Sequence, residues 1–183
     1  VICIAADVPV TVSSVAKELN LPGISLESSL LSMNKIMMKN KFYGDNIPIP
    51  EYREIKKLQD LKDFEATYGL PLIIKPSDNC GSRGVSIIRN EKDFDWAYKH
   101  SKNNSKSGRV LVEKFLSGPQ ISTESIILDG ECHTIGFADR NYEYLEKFAP
   151  YIIENGGELP SFLDFETQIA VNRIIEKASI SMG

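Results

Sequence analysis

The stretch that most constrains the chain runs from Leu72 to Val85, Leu-Ile-Ile-Lys75-Pro-Ser-Asp-Asn-Cys-Gly81-Ser-Arg-Gly84-Val. A short apolar run, Leu72 to Ile74, ends in a lysine. Pro76 then blocks simple continuation of a strand. Gly81 and Gly84 free the next residues to adopt backbone angles that other residues avoid. A second apolar run, Val85 to Ile88, leads out. The pattern is strand, lysine, glycine loop, strand. Backbone N–H groups in such loops cradle anions, and a lysine beside them adds a point charge. The stretch therefore reads as a phosphate grip, with an ordinary polar hairpin turn as the plainer alternative.

Composition sets the frame for that reading. With 183 residues, 42% hydrophobic and 25% charged, the chain is expected to form one ordinary globular domain or two small lobes. The net charge of −4 argues against nucleic acid as the main partner. No apolar run reaches the roughly 18 residues that a membrane span needs, and Val1 to Ala6 lacks a basic leader. Cys3, Cys80 and Cys132 are widely spaced and form no CxxC pair. They suggest neither a disulfide framework nor a zinc site, and reduced, cytoplasmic thiols are expected. The chain begins inside an apolar run without Met and stops at Ser181-Met-Gly183 on a helix, so a piece of a longer protein is expected.

Along the chain, Val1 to Ala6 reads as a strand. Val12, Val15, Ala16 and Leu19 read as a helix, ended by Leu21-Pro-Gly23. Residues 26 to 42 read as one helix with Leu26, Leu30, Met33 and Met37 on its inner face. Lys57 to Tyr68 reads as another, with Leu58, Leu61, Phe64 and Tyr68 inward and Gly69 as its stop. Asn90 is placed to cap a third helix, with Phe94, Ala97 and Tyr98 inward, and Lys99 to Gly108 reads as a surface loop. Val110 to Val112 is a buried strand. Ile121 to Leu128 and Cys132 to Ala138 flank Asp129-Gly130, a strong hairpin signal. Irregular sequence follows to Glu158. Ser161, with Asp164, is expected to cap a last helix that turns Phe162, Phe165, Ile169, Ile174, Ala178 and Met182 to one side. The fold class is α+β.

Taken together, Ser32-Met-Asn-Lys35, Ile47-Pro-Ile-Pro50, Ile73-Ile-Lys75-Pro, Gly81-Ser-Arg-Gly84-Val85, Val112-Glu113-Lys-Phe-Leu116-Ser-Gly118 and Pro150-Tyr-Ile-Ile-Glu154-Asn-Gly-Gly-Glu-Leu-Pro160 resemble the ATP-grasp superfamily over nearly the whole chain. The resemblance implies two small α+β lobes with a nucleotide cleft between them. Residues 26–112 would be the first lobe and 113–183 the start of the second. Residues 1–25 would end a preceding α/β unit. It also implies that Lys35 and Lys75 meet the phosphates of ATP and that residues 77 to 85, with Gly81, Ser82 and Gly84, form a mobile cover. Val85 would enter the adenine pocket. Glu113, Lys114, Phe115 and Leu116 would form a hinge whose backbone reads the adenine edge. Where the family often holds the ribose with an acid, this chain has Gln120, with Glu124 four residues on. Arg140 is a candidate contact to the acceptor or the transferred phosphate. His133 reads as structural or exposed.

The family uses Mg²⁺ to balance charge during phosphoryl transfer. The resemblance places the metal-holding acids beyond Gly183, so no metal ligand is named within the chain. The chain by itself is expected not to complete the reaction. The function implied for the parent is ATP-dependent activation of a carboxylate as an acyl phosphate for attack by an amine, as in carboxylate–amine ligases, biotin carboxylases, carbamoyl phosphate synthase-like and glycinamide ribonucleotide synthetase-like proteins. A kinase-like member of the same fold and a non-catalytic nucleotide-binding module are the alternatives. The expected partners are ATP and small carboxylate or amine substrates, with no membrane, and a homo-oligomer is left open.

Overall fold

The computed structural model describes residues 1–3 and 6–183. The expected strand over Val1 to Ala6 falls partly on Ile4 and Ala5, outside the described residues, and Val1 to Cys3 carry no strand. The first helix, α1, spans Pro9–Glu18. It starts three residues earlier than the apolar spacing implies because Pro9 suits a first helical position. Its buried Ser13 and Ala16 face the next helix, and Ser13 Oγ meets Ser29 Oγ at 2.9 Å.

Residues 26 to 42 form two helices, α2 (Leu26–Met33) and α3 (Lys35–Gly44), not one. Asn34 causes the break. Its backbone is extended (φ −127°, ψ 103°), and its Oδ1 accepts from the N–H groups of Ile36 and Met37, both at 3.1 Å. An Asx side chain that satisfies helix-start donors in this way restarts a helix rather than continuing one. The break also turns the face. Ser28, Ser29, Leu31, Ile36 and Lys39 are buried, whereas Leu26, Leu30 and Met37 are exposed.

Strand β1 (Tyr52–Ile55) and helix α4 (Leu58–Tyr68) follow, with Leu61 and Phe64 fully buried as the spacing requires. Strands β2 (Leu72–Pro76) and β3 (Ser86–Ile88) flank the glycine loop. Asn90 caps a single 3₁₀ turn, Glu91–Asp93, which leads into α5 (Phe94–Asn103). That helix continues through residues expected to be loop, because Ser101 is buried in its last turn and Lys99 pairs with Asp95 one turn earlier. Strand β4 is Val110–Lys114.

These four strands form an antiparallel sheet in the order β1-β4-β2-β3. Side chains alternate across it. Ile55, Leu72, Ile74, Ile88, Val110 and Val112 pack under α4 and α5 with Leu61, Phe64, Phe94 and Ala97. The register puts Tyr52 and Ile73 opposite Glu113, and Lys75 opposite Leu111. Lys75 and Glu113 therefore share the face turned away from that core.

Strands β5 (Gln120–Leu128) and β6 (Glu131–Asn141) form the expected hairpin. Asp129 and Gly130 both have positive φ, 51° and 81°, as a tight two-residue turn requires. A short helix α6 (Leu145–Phe148) and strand β7 (Gly156–Glu158) occupy the region expected to be irregular, and β7 pairs with β6. Helix α7 (Phe165–Met182) is capped by Asp164, whose side chain accepts from Thr167 N–H at 2.8 Å. Ser161 is not the cap. Its Oγ donates to Asp139 Oδ1 at 2.6 Å, which ties the approach to α7 onto β6. Phe162, Phe165, Ile169 and Ile174 are exposed rather than inward. The half-buried stripe is Val171, Ile175, Ala178 and Met182. The helix carries apolar residues on two sides, and periodicity cannot choose between them. Among the described residues, no helix is long and apolar enough to cross a membrane.

Candidate functional site

A cleft of about 540 Å³ opens between the outer face of the four-stranded sheet and the base of the β5–β6 hairpin. Strand β2 brings Lys75 to it, and the break at Asn34 brings Lys35. Because Lys35 is the first residue of α3, its N–H is not used within the helix. It donates instead to Ser77 O at 2.8 Å. The Lys35 ammonium donates to Asn79 O, inside the glycine loop. Burial, and then the nearby charge of Lys75, hold the Lys35 pKa below the ordinary lysine value.

The loop itself is pinned at its base. The Asp78 carboxylate accepts from Ser105 Oγ (2.7 Å), Lys106 N–H (3.0 Å) and Ser107 N–H (2.7 Å). Burial alone would raise the Asp78 pKa, but these hydrogen bonds outweigh it and hold the carboxyl below its ordinary value. Asn79 Nδ2 donates to Asn104 O at 2.6 Å. Gly81, Ser82 and Gly84 all have positive φ. At Gly84 a Cβ would lie 2.5 Å from Asn104 Cβ and 2.8 Å from Pro76 Cγ, so only glycine lets the loop return onto β3.

On the sheet face, Glu113 lies buried between two lysines. Its Oε1 is 2.9 Å from Lys39 Nζ and its Oε2 is 2.7 Å from Lys75 Nζ. Burial lowers the Lys39 pKa, with Glu113 opposing that shift. Three lysines against one carboxylate leave this wall of the cleft positive, which suits a polyanion.

The cleft lining brings together Lys35, Lys75, Gly81, Ser82, Val85, Glu113, Lys114, Phe115, Leu116, Gln120 and Arg140 from the sequence reading. Gly84 is not among the lining residues. Glu124 lies outside the lining, exposed on β5 opposite Gly136. The expected hinge is shorter than the motif implies. Glu113 and Lys114 belong to β4, where register with Tyr52 and Leu72 holds them, so only Phe115 and Leu116 lie beyond the strand. Arg140 forms an ion pair with Glu154, and that hydrogen bond raises its pKa. The sequence reading holds Asp78 and Asn79 only as members of residues 77 to 85 and gives Lys39 no role. The only signal for Lys39 is its place one helical turn after Lys35.

Residues 34–147 match the family model described as the carbamoyl-phosphate synthase L chain, ATP binding domain. The chain belongs to this family. A D-alanine–D-alanine ligase of Geotalea uraniireducens is 29% identical over 163 residues, 88% of this chain and 51% of the relative. That of Acinetobacter baylyi is 28% identical over 156 residues, 79% of this chain and 49% of the relative. The chain thus spans about half the length of these curated relatives. The VanG D-Ala:D-Ser ligase from Enterococcus faecalis superposes with a TM-score of 0.80 at 20% identity, covering 96% of this chain and 52% of that one. The L-amino acid ligase from Bacillus licheniformis gives 0.76 at 22% identity, covering 93% and 39%. The fold of this carbamoyl-phosphate-synthase-type ATP-binding domain is therefore ATP-grasp, as the motifs imply.

The residues present fit a nucleotide, since two lysines, a glycine loop and an apolar Val85 wall converge on one cleft. Among the described residues, no group of three or more His, Cys, Asp or Glu side chains is placed to hold a metal ion, and Glu113 is already paired with two lysines.

Proposed function

We propose that this cleft is half of an ATP site in a protein that activates a carboxylate as an acyl phosphate and joins it to an amine. The observation that carries the reading is the meeting of Lys35, Lys75, Asn79 to Ser82 and Val85 with Lys114 to Leu116 on one cleft. Lys35 and Lys75 hold the phosphates as point charges. Backbone N–H groups of the positive-φ loop add dipoles, and closing the loop keeps water out. Backbone groups of Lys114 and Leu116 read the adenine edge, with Val85 and Phe115 packing beside it. Gln120 takes the ribose. Arg140 faces the acceptor or transferred phosphate, held straight by Glu154. ATP supplies the phosphoryl group. Residues 26–112 make one lobe, 113–183 begin the other, and 1–25 end a preceding unit. A cytoplasmic setting, Mg²⁺ and small carboxylate and amine substrates complete the proposal.

The test is turnover by the full-length protein. ADP and free phosphate should form only when both a carboxylate and an amine are present. ADP with a stable phosphorylated product would instead indicate a kinase, and no turnover a binding module. Lys75→Ala should weaken ATP binding at least about tenfold, or ~1.4 kcal/mol. Unchanged affinity would remove Lys75 from the site.

A further inference from the structure

We propose that Lys39 is a positioning residue for the nucleotide site: its pairing with one oxygen of buried Glu113 lets Lys75 leave the other oxygen for a bound phosphate. The inference rests on the ATP-site reading and adds a residue that does not touch the nucleotide.

Glu113 carries a charge in a place with almost no water. Its side chain is 8% exposed, that of Lys39 9% and that of Lys75 20%. A carboxylate so placed needs a counter-charge. It has two, one on each oxygen, and they differ in role. Lys75 lines the cleft and is the more exposed of the pair. Lys39 is absent from the lining. Its ammonium lies 5.4 Å from the centroid of the Tyr52 ring, which β1–β4 register places opposite Glu113. Tyr52 Oη in turn donates to Asn40 Oδ1 at 2.7 Å. Lys39 is thus fixed by an aromatic face and a carboxylate, one helical turn below Lys35.

This geometry makes Lys39 the permanent partner and Lys75 the exchangeable one. Without Lys39, moving Lys75 to a phosphate would strand Glu113 uncompensated, so Lys75 would stay on Glu113. A merely structural Lys39, holding α3 to the sheet, would affect stability irrespective of the charge on residue 113.

The experiment measures ATP affinity of the full-length protein by calorimetry, with thermal unfolding alongside. Lys39→Met should weaken ATP at least about tenfold, and Lys39→Arg should stay within about threefold of wild type. In the Glu113→Gln background, which removes the charge to be balanced, Lys39→Met should change affinity by less than about threefold. Equal losses in both backgrounds, or no loss in either, overturn the proposal. Should Lys39→Met alone not fold, the comparison within the Glu113→Gln background still decides it, since a loss of about tenfold there is incompatible with the exchange. Wild-type protein that binds no ATP would overturn the ATP-site reading and this proposal together. ATP binding that responds to Lys75→Ala but not to Lys39→Met would overturn this proposal alone.

Discussion

At the scale of the residue, the cleft is governed by charges kept partly out of water. Lys35 has its pKa depressed by burial and by Lys75. A bound triphosphate reverses that balance, because an anion beside an ammonium favours the charged form. The bound-state pKa of Lys35 therefore lies above the free-state one. Between the two, binding draws in a proton. ATP affinity is full below the free-state pKa and falls as pH rises through it. Calorimetry in two buffers of different ionisation enthalpy should show proton uptake at pH values above the depressed Lys35 pKa, and Lys35→Met should abolish it. Identical heats in both buffers for the wild type would refute this. Lys35 and Lys75 are legible in the sequence because each stands in a local motif. Lys39 is not, since its importance arises only when strand register carries Glu113 under α3.

At the scale of the element, the structure departs from the sequence reading wherever a polar side chain overrides an apolar period. The glycine loop, the buried strand at Val110 and the Asp129-Gly130 hairpin are all legible, because turn chemistry and short buried runs are local signals. The single helix expected over residues 26 to 42 is not what forms, because Asn34 takes two helix-start N–H groups for itself. The apolar face expected on α7 was equally beyond periodicity, since that helix has two apolar sides. The Asn34 cap sets where α3 begins and hence where Lys35 points. Asn34→Ala should lower unfolding free energy by about 1 kcal/mol in urea titration, while Asn34→Ser, which keeps a capping oxygen, should cost less than half of that. A neutral alanine variant would mean that the two helices are held apart by packing alone.

At the scale of the whole molecule, the chain passes from one sheet to the other at Phe115 to Pro119, α7 packs against α2 and α3, and a strap adds a further tie. In the strap, Ile87 N–H donates to Pro150 O at 2.9 Å, Ser86 and Tyr151 form an isolated bridge, and Arg89 pairs with Glu146 at 2.5 Å. The Arg89–Glu146 pair is substantially exposed and adds little. The stronger tie is aromatic, with Tyr151 standing edge-on to both Trp96 and His100, each at 5.9 Å, while those two rings stack at 5.0 Å. Edge-to-face pairs of this kind contribute roughly 0.5–1.5 kcal/mol beyond area burial, enough to hold a strap without fusing the sheets. Trp96 is the sole tryptophan, so its emission reports whether the strap is docked. Tyr151→Ala should red-shift that emission and speed hydrogen exchange at the Ile87 amide. The amides of Ile74 and Val112, deep in the four-stranded sheet, should keep their protection. If Ile87 exchanges no faster in the variant, the aromatic cluster does not hold the strap to the four-stranded sheet.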